Sequence, residues 1–270
     1  MVIFNWYKEK ILILVKAYPE RSTKYGSSIC IAGITEEFDW IRLYPVEFDF
    51  FIKNLKFKKF TWIEAEIKKI NEKLMRKESH KVNQHTIKTV DESLAIIKGS
   101  KSDKEKVWKR RIDIIKRIQV ESIHQLRERW SKDKTSLGII KPNLVSFRFR
   151  KPIEKIKIEQ QKSIQKSING KKKYISDKIE HIISYRFKCN DVECKCNNKG
   201  KFHDMTCEDW ELFEAIRKWQ YTPKEKEEKI EDRFFNWMKN RDLYFCLGML
   251  SKYPTWVIIG LLYPPIFKIS

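Results

Sequence analysis

Glycine is scarce in this chain, at 8 of 270 residues. No glycine-rich loop that would cradle a phosphate is present, and neither H-E-x-x-H nor G-x-S-x-G occurs, which removes the enzyme classes built on those motifs. Long apolar runs are missing too. The longest near the C-terminus, W-V-I-I-G-L-L at 256–262, falls well short of the roughly 20 residues that cross a bilayer. The N-terminal stretch M-V-I-F-N-W-Y-K-E-K has no signal-peptide cleavage pattern, so the expected location is intracellular, in the cytoplasm. No repeat of fixed period is visible. Acidic residues are in deficit: 36 Asp and Glu face 57 Lys and Arg, giving a net charge of +21. Such an excess argues for a polyanionic partner, nucleic acid first, because releasing phosphate counterions is what clustered cations do well. A scaffold that binds protein alone would leave this charge without a use.

What is abundant is apolar and aromatic sequence, 41% and 13% of the chain, enough for one large or two small cores. One short stretch also gathers Cys189, Cys194, Cys196, His203 and Cys207. A closed structural zinc site takes four thiolate or imidazole ligands, commonly from two close pairs separated by a loop. The spacing C-x4-C-x8-H-x3-C pairs Cys189 with Cys194 and His203 with Cys207, with Cys196 able to replace Cys194. Four protein ligands leave no open position for water, so zinc here is expected to staple the loop rather than to catalyse. Free thiols and a disulfide are the alternatives.

Short strands are expected at 10–15, 28–34, 40–44 and 60–67, an arrangement that suggests a small β-barrel or sandwich. Pro45 should end the third of them. Residues 68–106 read as loops, with 95–97 as a short strand. Apolar spacing of three and four residues predicts one amphipathic helix over 103–130, its other face carrying Lys109, Arg110, Lys116 and Arg117 as a solvated surface or a phosphate rail. A second β unit begins at 137–150, where alternation sets Val145, Phe147 and Phe149 against Ser146, Arg148 and Arg150. The Lys-rich segment 151–173 is expected to be an exposed linker or arm. A strand at 181–189 leads into the cysteine stretch, Thr206 is expected to cap a following helix, and Pro223 to open another. Two strands, 243–250 and 255–263, finish the chain.

The stretches I-L-I-L-V-K-A-Y-P-E-R-S-T-K-Y-G, D-W-I-R-L-Y-P-V, F-K-K-F-T-W-I, L-G-I-I-K-P, C-x4-C followed by H-D-M-T-C-E-D-W-E, and W-V-I-I-G-L-L-Y-P-P run in order along nearly the whole chain. Together they resemble a largely uncharacterised prokaryotic family with a dual OB-containing domain. The chain departs from that pattern at residues 77–80, K-E-S-H, where a motif like R-P-E-S-Y is expected. The resemblance implies an α+β protein of two small OB-like β-barrels with helical insertions and a zinc-stapled loop, divided here as 1–135 and 136–270. It brings no catalytic residues. OB barrels bind single strands by stacking bases in a basic groove. Tyr18, Tyr25, Trp40, Tyr44 and Trp62 are possible stackers, although Trp40 and Trp62 read better as core. The expected contact surface is Arg21, Lys24 and Tyr25 in a loop, with Arg42, Arg148 and Arg150 on sheet faces.

The leading functional expectation is a non-catalytic nucleic-acid-binding protein, an accessory subunit in a nucleic-acid-processing or antiviral defence complex. A short Argonaute or another nuclease would be its protein partner, and a single strand or guide–target duplex its ligand. The competing expectation is a metal-dependent nuclease using Asp204, Glu208, Asp209 and Glu211. Against it, acids at 208–211 are also what a helix N-terminus favours.

Overall fold

The structure, a computed structural model, describes residues 5–22, 26–70, 76–120, 122–150, 182–250 and 255–267. Five strands of the N-terminal half close a barrel: β1 (Tyr7–Lys16), β3 (Gly26–Ile34), β4 (Trp40–Glu47), β5 (Trp62–Lys69) and β6 (Ser79–Val82). Their order is β1-β3-β4-β6-β5, and β5 returns to β1. The β4–β6 pair is parallel and the other four pairings are antiparallel. Short strands β2 (Glu20–Ser22) and β7 (Lys88–Asp91) extend the sheet, and α1 (Phe48–Asn54) joins β4 to β5. Ile11, Ile13, Ile31, Leu43, Ile63 and Ile67 fill the barrel interior. Leu12, Leu14 and Val15 face outward yet are fully buried, because the second half of the chain packs on that side. Burial on both faces is why β1 is an unbroken apolar run instead of an alternation.

Three expectations change here. Pro45 does not end β4: Ile29 pairs with Val46 and Ile31 with Leu43, so Tyr44 and Pro45 together oppose Cys30 at a bulge, where the missing N–H costs no ladder bond. Residues 95–97 are a turn and not a strand. The strand in that region is β6, too short and polar to stand out, which is held by pairing to both β4 and β5. The single helix over 103–130 is two, α2 (Lys101–Ile118) and α3 (Ile123–Asp133). Between them Val120 N–H leaves helical bonding for the carbonyl of Ile139 (2.8 Å), and Ser122 caps the new helix through Gln125 N–H.

The remainder holds two three-stranded antiparallel sheets. One is β11 (His203–Thr206), β10 (Ile182–Lys188) and β9 (Asn143–Arg150); the other is β13 (Trp256–Leu262), β12 (Tyr244–Met249) and β8 (Leu137–Ile140). They touch at a bridge between Cys207 and Ile258. Among the described residues they do not close into a second barrel, so the fold is α+β with one closed barrel. Helices α4 (Trp210–Lys218) and α5 (Pro223–Glu231) lie between the sheets in sequence. Pro223 opens α5 as expected, inside a capping box of Thr222 and Glu225. The cap of α4 is Asp209 and not Thr206, which ends β11. The Lys-rich segment 151–173 lies outside the described residues. No described helix is long and apolar enough to cross a membrane.

Candidate functional site

β10 ends at Lys188, and Cys189 follows directly; a tight loop then brings Cys194 and Cys196 back beneath it, and His203 opens β11 beside them. The ligand atoms of Cys189, Cys194, Cys196 and His203 all lie within 4.8 Å of one another. Cys194 Sγ is 3.2 Å from His203 Nε2 and 3.3 Å from Cys196 Sγ. All three thiols are buried. The group could hold a metal such as zinc, since its donors are soft and number four. Backbone donors already point at the sulfurs: Cys189 N–H reaches Cys196 Sγ (3.2 Å), and Ile123 N–H of α3 reaches Cys189 Sγ (3.5 Å). Around them, Asn197 Nδ2 donates to the carbonyls of Cys189 (3.0 Å) and Asp191 (2.6 Å), while Ser122 donates to Asp191 (2.6 Å). Burial, with the Arg127 guanidinium nearby, pushes His203 down to about 4, which keeps the imidazole in its neutral, ligating form. Burial also pushes the thiols of Cys189 and Cys196 up, so a metal binding there must displace protons.

Cys207 does not join this group. It is fully buried, its N–H bonded to the carbonyl of Ile183 (2.8 Å), at the point where the two sheets meet. Cys194 and Cys196 both take part, where the spacing offered them as alternatives.

The acidic residues of the nuclease expectation do not converge. Asp204 pairs with Arg148 (2.9 Å) and Arg186 (3.2 Å) on the β9–β10–β11 sheet. Asp209 caps α4 and meets the buried ammonium of Lys59 (2.5 Å), and Glu211 pairs with Lys16 (3.0 Å) and Lys59 (3.6 Å). Among the described residues, the cysteine–histidine group is the one set with metal-ligand spacing.

The expected nucleic-acid contacts scatter. Arg42 is 4% exposed, and its guanidinium donates to the carbonyl (3.1 Å) and hydroxyl (3.2 Å) of Ser136. It holds the two halves together, because the outer face of β4 is covered where alternation alone would leave it open. Arg148 is exposed and tied to Asp204. Arg21 lies in β2 and Arg150 at the end of β9, while Lys24 and Tyr25 lie outside the described residues. Val145 is exposed and leaves the Phe147–Phe149 face, since a register shift pairs Leu144 with Phe187. Tyr18 packs on Phe213 and Trp210, Tyr44 lies beside Ser28 (3.2 Å), and Trp40 and Trp62 pack against the core between the halves. A cleft of about 60 Å3 on the β3–β4 face, lined by Tyr18, Tyr44, Arg42 and Arg76, is roofed by Gly248, Met249 and Leu250. That is room for a few waters and not for a strand.

Basic residues gather instead on α2. Lys101, Lys104, Lys106, Arg110 and Lys116 are all exposed and make no ion pair among the described residues, while Lys109 pairs with Glu105 (2.9 Å) and Arg117 stacks on Phe38. The helix carries only Asp103, Glu105 and Asp113 as acids.

The model of a domain of unknown function, DUF8757, matches residues 119–269. The chain belongs to the DUF8757 family. A second domain of unknown function, DUF8758, matches residues 7–117. No curated protein matches the chain. The DUF8757 part carries the cysteine–histidine group and the DUF8758 part the closed barrel. The two matches meet where α2 ends, so α3, whose first residues bond Cys189 and Asp191, falls with the cysteine loop.

Two residues on which the chain depends were not singled out from sequence, Lys59 and Arg111. Arg111 left a signal: it sits among Trp108, Ile112 and Ile115, on the apolar stripe of α2, where a charge is out of place.

Proposed function

We propose that this chain binds nucleic acid without cleaving it, through the exposed face of α2. The observation that carries the reading is the row of cations Lys101, Lys104, Lys106, Arg110 and Lys116, unpaired among the described residues, on one helix of a chain with net charge +21. Such a row neutralises successive phosphates and gives affinity with little sequence preference. Strand order lends support: a closed barrel running first-second-third-fifth-fourth, with a parallel third–fifth pairing and a helix between third and fourth, is the OB-like arrangement. The covered β3–β4 face moves the binding surface away from the groove that such barrels ordinarily use. Zinc, in this reading, occupies the Cys189, Cys194, Cys196 and His203 group as a staple, joining the end of β10, the start of β11 and the first turn of α3.

The test is a comparison of three variants by fluorescence anisotropy with labelled single- and double-stranded DNA and RNA. Replacing Lys104, Lys106 and Arg110 by Ala should lower affinity and reduce the salt slope by about one for each phosphate no longer neutralised. Replacing Arg148 and Arg150 should have a smaller effect, because Arg148 is already paired with Asp204. If replacing Lys171, Lys172 and Lys173 is the only change that costs affinity, the α2 assignment is wrong.

A further inference from the structure

Beside the inner face of α2 lies a cavity of about 190 Å3, lined by Lys58, Lys59, Phe60, Trp108, Arg111, Glu211 and Tyr263 among others. Arg111 is 6% exposed. Its Nε donates to the carbonyl of Leu94 (2.6 Å), and its guanidinium lies 4.4 Å from the Phe60 ring centre and 4.6 Å from that of Trp108. Among the described residues no carboxylate pairs with it, and its two terminal nitrogens find no acceptor. The acid that also lines the cavity, Glu211, is taken by Lys16 and Lys59.

Charge around the cavity therefore does not balance. Lys16 and Lys59 offset Asp209 and Glu211, which leaves Arg111 inside and exposed Lys58 beside it without anionic partners among the described residues. A buried guanidinium gives up hydration that two aromatic faces restore only in part. Its free edge offers the forked donors that fit a phosphate or carboxylate. The volume is far above that of one water, yet below the roughly 300 Å3 at which whole-ligand pockets begin. A phosphate group fits this range, with the rest of its carrier outside, against half-buried Trp108.

We propose that this cavity is an anion site that takes a terminal phosphate, supplied either by a free nucleotide or by the end of a nucleic-acid strand. The proposal does not depend on the outer face of α2, whose residues do not line the cavity.

The full-length protein should be titrated calorimetrically with a nucleoside monophosphate, the matching nucleoside, and one oligonucleotide bearing either a 5′-phosphate or a 5′-hydroxyl. The monophosphate is expected to bind saturably and the nucleoside not to bind. Arg111→Lys, which keeps the charge but loses the fork, and Lys58→Glu, an exposed change that leaves the core intact, should each weaken monophosphate binding by roughly tenfold or more. Lys53→Glu, the same charge change on exposed α1, should not. A 5′-phosphate preference in the oligonucleotide assigns the strand end as the source; monophosphate binding without that preference assigns the free nucleotide. The proposal is overturned if neither phosphorylated probe binds better than its unphosphorylated counterpart, or if Lys53→Glu weakens binding as much as Lys58→Glu.

Discussion

Asp209 meets three demands with one carboxylate. Oδ1 accepts from Leu212 N–H (3.0 Å) to cap α4, while Oδ2 accepts from Leu261 N–H (2.7 Å) of β13 and meets Lys59 (2.5 Å) from the barrel half. Lys59 in turn donates to the carbonyl of Leu261 (3.1 Å). Burial alone would push the Lys59 ammonium down, but Asp209 and Glu211 beside it raise it above its ordinary value, so the pair stays ionised. Asp209→Ala should destabilise the protein by about 3–5 kcal/mol in urea denaturation, because it strands a buried ammonium and two backbone donors. A loss below about 1 kcal/mol would remove the pair from this account. Glu211 gives a pH signature. Burial pushes its carboxyl up, yet Lys59 and Lys16 outweigh burial and hold it at about 2 against an ordinary 4.5. A depressed carboxyl stabilises the fold above its unfolded value, so the contribution is lost as pH falls from about 4.5 toward 2. The side chain is 37% exposed, which screens the effect. Glu211→Gln should flatten part of the acid-side fall in the urea midpoint; an unchanged acid profile would contradict the pairing. The capping role of these acids could be read from the sequence, since Asp209 and Glu211 precede an apolar helical pattern. Their partners could not, because Lys16 and Lys59 are nearly 200 and 150 residues earlier.

At the scale of elements, the cysteine loop shows what spacing reveals and what it hides. Four of the five residues gathered by the sequence form the group. Choosing between Cys196 and Cys207 needs the course of the chain: Cys207 follows β11 into the sheet junction, whereas the turn at 195–197 folds Cys196 back on Cys189. The expected result is one zinc per chain by elemental analysis, lost in Cys196→Ser and kept in Cys207→Ala. The reverse pattern would put Cys207 in the site. Ser122 links this loop to α3 by capping the helix and bonding Asp191. Ser122→Ala should therefore cost about 1–2 kcal/mol in denaturation and also weaken zinc retention under chelator. Loss of stability with unchanged zinc retention would confine Ser122 to the cap. The apolar runs of β1, β12 and β13 were legible because both faces of each are buried. Short β6 was not, since its place between β4 and β5 comes from tertiary pairing and not from the character of S-H-K-V.

Over the whole molecule, the two halves share a core. Leu12, Leu14, Val15, Ala32 and Ile34 of the barrel pack against Leu137, Ile139, Tyr244, Val257 and Ile259. Gly33 is part of how closely β1 and β3 approach, since a Cβ there would run into the carbonyl oxygen of Leu12. Alternation in one strand cannot announce that a second sheet will cover its outer face. That is why Arg42, solvent-facing by alternation, is a buried tie to Ser136. The excess of positive charge was legible at once, but its concentration on α2 needed the helix to be placed with its apolar stripe inward. The central claim, nucleic-acid binding along that helix, is tested most directly by the equilibrium constant for a labelled single strand over a rising salt series. If all five of these cations engage phosphates, log K should fall linearly with log salt at a slope of about −3 to −4, and replacing three of them should take about 2 from that slope. No measurable binding of DNA or RNA at the lowest salt, or a slope that the α2 replacements leave unchanged, would contradict the account.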